Sequence, residues 1–177
     1  IYAALCTSVI TNLAMRSCYF WVLGFLFCLI PPPLFAQTTY TWTGKSGSSW
    51  GNPENWNPIG VPKEGDSAIL DLATGNTTVE VSPNDFVSLN LLKVASPAIV
   101  LKAPSVQVIK LHLENGALRG GFYSVNDGFV WNGGRLDGVS MSVFGVSEMS
   151  GNQLILIKSN LLYQSDLNVI SPQDNPM

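Results

Sequence analysis

Asn115-Gly116-Ala117-Leu118-Arg119-Gly120 and, further along, Trp131-Asn132-Gly133-Gly134-Arg135-Leu136-Asp137-Gly138 decide the reading of the fold. Both contain G-x-L-x-G, opening at Gly116 and again at Gly134, and Asn115 and Asn132 precede the two copies. A weaker third ending follows at 146–151, with Met149 in the apolar slot and Gly151 closing. A unit this short cannot bury its apolar side alone. It must stack on copies of itself, which is the logic of a solenoid.

Outward from the repeat, short apolar runs alternate with Gly, Asn, Asp and Ser turns at 68–72, 77–81, 86–94, 99–101, 106–113, 139–144 and 153–157. Runs of that length between turn residues predict many short strands, and helical spacing does not recur after Ala36. The period is two. Val79 and Val81 flank Glu80, Val87, Leu89 and Leu91 alternate with Ser88 and Asn90, and Ile109, Leu111 and Leu113 alternate with Lys110, His112 and Glu114. One side of each strand is therefore expected inside. Between Val108 and Ile109 the phase slips, as it does where a strand bends at a corner or bulge. Residues 37–65 are dense in Trp, Gly, Asn, Ser and Pro and read as an aromatic-clamped cap. The expected fold is all-β: a right-handed parallel β-helix over 66–177 with a Trp/Gly-rich N-terminal cap.

The stretch 1–36 is of another kind. Mean hydropathy is +0.24 for the whole chain, and much of it sits here, where Arg16 is the only charged side chain. Met15-Arg16 has the form of a translation start with a short positive region, followed by an apolar core over 18–30, the break Pro31-Pro32-Pro33, and Ala36 before Gln37. That order is the grammar of a signal peptide at 15–36, with 1–14 as upstream sequence. The apolar run is shorter than the ~20 residues a bilayer-spanning helix needs. Cys6, Cys18 and Cys28 all lie in this leader, so the exported chain is expected to lack disulfides and thiolate chemistry. Phe27 before Cys28 is too bulky for lipoprotein processing. The membrane is thus expected to matter only through the signal peptide.

At this point the residues match a known pattern. Trp42-Thr43-Gly44, Gly47-Ser48-Ser49-Trp50, Asn55-Trp56, Val61-Pro62 and Gly65-Asp66 follow the order W-x-G, G-x-x-W, N-W, V-P-x-x-G-D. This resembles the opening of bacterial secreted β-helix proteins, the autotransporter-passenger-like and surface adhesin-like families. The stretch 131–138 is similar to their W-x-G-G-x-L-x-G coil. The resemblance implies an extracellular or cell-surface structural or adhesive protein. Such proteins run for many more coils to a barrel, anchor or sorting domain, so the coils are expected to continue past Met177. The runs at 161–163 and 167–170 have no aromatic or glycine-rich seal after them, and self-association through that open end is expected.

Formal charge is −3, so no basic field gathers phosphate backbones, and nucleic acid is not an expected partner. Trp42, Trp50 and Trp56 could form a sugar-stacking platform, with Asn55 and Asp66 supplying hydrogen bonds to extracellular glycans; the competing reading seals the solenoid end with the same indoles. Asp66 with Asp71, or Asp127 with Asp137, are the least unreasonable acid pairs for glycoside chemistry, yet all lie beside turns where Asp caps its own backbone. His112 is the only histidine, which excludes His-based zinc clusters, and Asn126-Asp127-Gly128 only faintly suggests a calcium turn. No cofactor or metal is expected. The functional expectation is a non-catalytic structural or adhesive segment, with a carbohydrate-binding module or the start of a polysaccharide-active enzyme as the alternative.

Overall fold

The computed structural model describes residues 36–71, 77–151, 154–164 and 167–169; residues 1–35, which hold the three cysteines and all of the expected leader but Ala36, and the stretch 170–177 lie outside them. The strands in chain order are β1 (Thr39–Trp42), β2 (Trp56–Asn57), β3 (Ser67–Leu70), β4 (Thr78–Glu80), β5 (Val87–Val94), β6 (Val100–Lys102), β7 (Ser105–Leu113) and β8 (Ala117–Arg119). They continue with β9 (Phe122–Trp131), β10 (Gly134–Asp137), β11 (Ser140–Val143), β12 (Val146–Met149), β13 (Leu154–Ile157), β14 (Asn160–Tyr163) and β15 (Leu167–Val169). The one helical piece among the described residues is a single 3-10 turn, Pro53–Asn55.

Strands pair in parallel with the equivalent strand of the next coil, giving a β-solenoid of about four turns. Only β1 and β2 pair antiparallel among the described residues. Each coil has three faces. The long strands β5, β7 and β9 bend across two of them, and the break is visible in the coil that follows, where β11 continues the first half of β9 and β12 the second. The third face is a separate sheet ordered β13-β10-β8-β6-β4.

Stacking in register turns each inward position into a column with a rung roughly every 4.8 Å. On the third face Val79, Leu101, Leu118 and Leu136 stand over one another, each at most 1% exposed. On the first face the column is Leu89, Val108, Val125, Val143; on the second it is Leu70, Val94, Leu113, Trp131. A flat, repeated surface of branched aliphatic side chains suits these stacks, because each methyl group meets its counterpart one rung away.

The glycines of the repeat have a backbone reason. Gly116 and Gly134 occupy the same turn in successive coils with φ of +78° and +86°, and a Cβ at either would stand within 2.7 Å of a carbonyl oxygen of the preceding coil. The match between the two G-x-L-x-G copies is the pairing itself: Leu118 lies on Leu136 and Arg119 on Asp137.

Two expectations need correction. The third copy is not at 146–151, since Met149 pairs with Trp131. The apolar slot is refilled by Leu156, where a constant offset from Leu118 through Leu136 would fall on Leu154, because that coil is longer. Leu91 and Ile109 are not inward: Leu92 and Leu111 are, and Ile109 is 43% exposed. Both strands switch phase at the corner between two faces, so alternation read straight through is out of step beyond it. The slip expected beside Val108 is there, as a bulge in which Asn126 and Asp127 oppose the single residue Ile109. That bulge also hides β9 from a reading of sequence, since its Asn-Asp-Gly has the composition of a turn and lies mid-strand.

Candidate functional site

The five residues proposed as a glycan platform all lie in the cap or at its joint with the first coil. Trp42, Trp50 and Trp56 are 1%, 3% and 1% exposed. Trp56 meets Trp42 and Trp50 edge to face, with ring centroids 5.1 and 4.6 Å apart, and its Nε1–H donates to the Trp50 carbonyl at 2.8 Å. Such edge contacts each contribute about 0.5–1.5 kcal/mol beyond the area they bury. Asn55 is fully buried, accepts from the Ser46 N–H at 2.6 Å and donates to the Ser49 carbonyl at 2.9 Å. The Asp66 carboxylate, 4% exposed, accepts the N–H groups of Thr38 and Lys63 at 3.0 and 3.1 Å. No indole face is open to a sugar ring here. Loops of the sequence 43–66 can cross the solenoid end only if their polar backbone is satisfied, and Asn55 and Asp66 do that while the indoles fill the space.

The carboxylates named as acid pairs are dispersed. Asp66 is buried in the cap joint while Asp71 is exposed at the end of β3. Asp127 sits at the bulge, 3.6 Å from Lys110, and Asp137 lies on the third face, 3.1 Å from Arg119. On the same outward column Glu80 receives Lys102 at 2.8 Å, which holds its carboxyl below the usual range. His112 faces outward between Leu111 and Leu113. Partial burial lowers its pKa, Glu114 opposes this, and Lys93 and Lys110 add smaller lowering effects. Inside the coils, the Tyr123 hydroxyl and Ser147 Oγ are buried without a partner among the described residues. Burial pushes the Tyr123 phenol upward, so it stays protonated and is no base. No group of three His, Asp or Glu side chains among the described residues is placed to hold a metal ion.

Among the clefts that described residues line on the outer surface, two bear on a binding role. One, of about 260 Å³, follows the corner between the first and second faces, where Ser88, Asn90, Gln107 and Asn126 line it beside Glu64 and Ile109. The other, of about 300 Å³, lies where the cap meets the turn before β5 and is lined by Trp50, Val61, Pro62, Asn84, Asp85 and Phe86. Sequence reasoning missed both. The pattern of the sequence puts Phe86 at the head of an apolar run, yet it is 63% exposed while Val87 beside it is 4% exposed. The available signal is Pro83-Asn84-Asp85 directly before the run, a turn that sets where the strand begins. Compared with protein-family models, with curated proteins and with solved structures, the chain finds no match.

Proposed function

We propose that the chain is a non-catalytic β-solenoid segment that supplies extracellular structural or adhesive surface. The observation that carries this reading is the stacking of outward side chains in register. Ser88, Gln107, Ser124 and Ser142 stand in one column, and Glu80, Lys102, Arg119 and Asp137 in another, with ion pairs closing the second at 2.8 and 3.1 Å. A solenoid that presents polar and charged side chains in register from coil to coil suits contact with an extended extracellular partner, or with other solenoids, better than it suits turnover at one point. Of the carboxylates considered for chemistry, Asp66 is tied to backbone amides, and Asp127 and Asp137 are paired with Lys110 and Arg119. The leader grammar and the opening order from Trp42 to Asp66 support export and a surface role of the bacterial adhesin-like kind.

The test has two arms. The full chain expressed in a secreting bacterial host should appear outside the cell with an N-terminus at Gln37; retention in the cytoplasm would defeat the export reading. Beads carrying the exported protein should adhere to cell surfaces or extracellular matrix, and beads that do so no better than albumin-coated controls would defeat the adhesive one.

A further inference from the structure

The cleft at the cap joint brings an exposed aromatic ring together with a carboxylate and an amide. Its floor comes from the cap, through the edge of buried Trp50 with Val61 and Pro62, and its rim from the turn at 82–86. In that turn the Asp85 N–H is spent on the Ser82 carbonyl at 2.9 Å and the Asn84 N–H on Ser82 Oγ at 3.4 Å. Both N–H groups are met within the turn, without drawing on the Asp85 carboxylate or the Asn84 amide. The Asp85 carboxylate has no hydrogen-bond or ion-pair partner among the described residues. Gly51 faces it: a Cβ built there would lie 3.7 Å from Asp85 Oδ2, so the missing side chain leaves the carboxylate reachable across the cleft. Phe86, 63% exposed, adds an aromatic ring beside these polar groups.

We propose that this cleft binds neutral, hydroxyl-rich carbohydrate, with a sugar ring stacked on Phe86 and its hydroxyl groups bonded by Asp85 and Asn84. A pyranose has an apolar face of C–H bonds that packs on a phenyl ring, and a rim of hydroxyls. A carboxylate accepts from two neighbouring hydroxyls, while an amide both donates and accepts. The volume of about 300 Å³ stands at the lower end of ligand clefts, which suits a short stretch of glycan. Among the described residues no Lys or Arg lines the cleft, so Asp85 repels an anionic sugar. The corner groove lacks the aromatic element, with Ile109 as its main apolar surface. This assignment adds one glycan contact beside the stacked columns of the segment proposed above and rests on that adhesive reading for its biological setting.

Isothermal titration of the full chain with cellotetraose, chitotetraose and mannotetraose, and with tetragalacturonate as the anionic comparator, tests it. At least one neutral tetrasaccharide binds, and Phe86→Ala and Asp85→Asn each weaken it about tenfold, the loss of one stacking or charged contact. Asn90→Ala, in the corner groove, leaves the affinity unchanged. Should Phe86→Ala lower the melting temperature, Asp85→Asn and the cleft-narrowing Gly51→Ala decide the matter. Heat only from tetragalacturonate, no heat from any sugar, binding untouched by Phe86→Ala and Asp85→Asn, or binding lost in Asn90→Ala would each overturn the assignment. The two readings separate on the beads. Adhesion that survives Phe86→Ala together with no sugar binding sinks the cleft alone, and sugar binding by a protein whose beads do not adhere sinks the adhesive reading alone.

Discussion

In the cap, Trp56 packs edge-on against Tyr40, Trp42 and Trp50, with ring centroids 6.4, 5.1 and 4.6 Å away, three partners from different segments. In the coils, Leu118 lies between Leu101 and Leu136, and its environment is repeated a rung away in either direction. Both residues are buried to within 1%. The cap closes a surface that does not repeat, so it depends on particular shapes and on side chains such as Asn55 and Asp66 that satisfy irregular backbone. The coils depend on phase and register, and they accept turns of unequal length so long as an inward residue falls on an inward residue. Shape governs one region and periodicity the other.

The largest effect should come from violating phase. Leu111→Asp places a carboxylate in a column that is 0% exposed and lined by aliphatic and aromatic side chains, and is expected to cost about 4 kcal/mol or more. His112→Ala, one residue along and outward, should stay within about 1 kcal/mol. Denaturant midpoints of the two variants measure this, and comparable losses would mean that periodicity does not govern the coils. Next comes shape. Trp56→Ala should cost about 4 kcal/mol and abolish the near-ultraviolet circular dichroism of the coupled indoles, while Leu118→Ile, similar in volume, should cost less than about 1.5 kcal/mol. If a Trp56→Leu variant proved as stable as the parent, the claim that the cap needs particular shapes would fail.

The joint between the regions is a smaller test. Asp66→Ala strands the N–H groups of Thr38 and Lys63 and is expected to cost about 2 kcal/mol. Amide exchange should then quicken in β1 and the cap before it does in β9; uniform acceleration along the chain would show that cap and coils unfold as one unit.

The smallest effect is that of pH. His112 has a folded pKa below its ordinary 6.5, so between the two values the unfolded chain binds more protons than the folded one. Its contribution is fully present above pH 6.5 and is lost as pH falls through the folded value. A shallow loss of stability on mild acidification should therefore vanish in His112→Gln. An unchanged slope in that variant would assign the effect to other groups.

How much could be read in advance differs between the regions for the same reason. Periodic packing writes itself into sequence, so Gly116 and Gly134 announced the pairing of β8 with β10, and Leu118 and Leu136 announced what the pairing buries. The slip at Val108 announced a corner. It did not tell which of Leu91 or Leu92 turns inward, because at a bend the backbone, not the alternation, sets direction. The third copy escaped because the coil from Leu136 to Leu156 is longer than the one from Leu118 to Leu136, and unequal coils defeat a fixed period.

By itself, then, the sequence determined the class of structure: parallel stacking of short strands, with glycine where coils approach too closely for a side chain, follows from local spacing and sterics. Tertiary structure alone decided where the surface chemistry stands. Whether three tryptophans face solvent or one another depends on loops folding back over the end of the solenoid. Phe86 and Asp85 meet Gly51 and Pro62 in one cleft only because the cap is laid beside the turn that precedes β5, a juxtaposition of segments distant in sequence that no local pattern encodes.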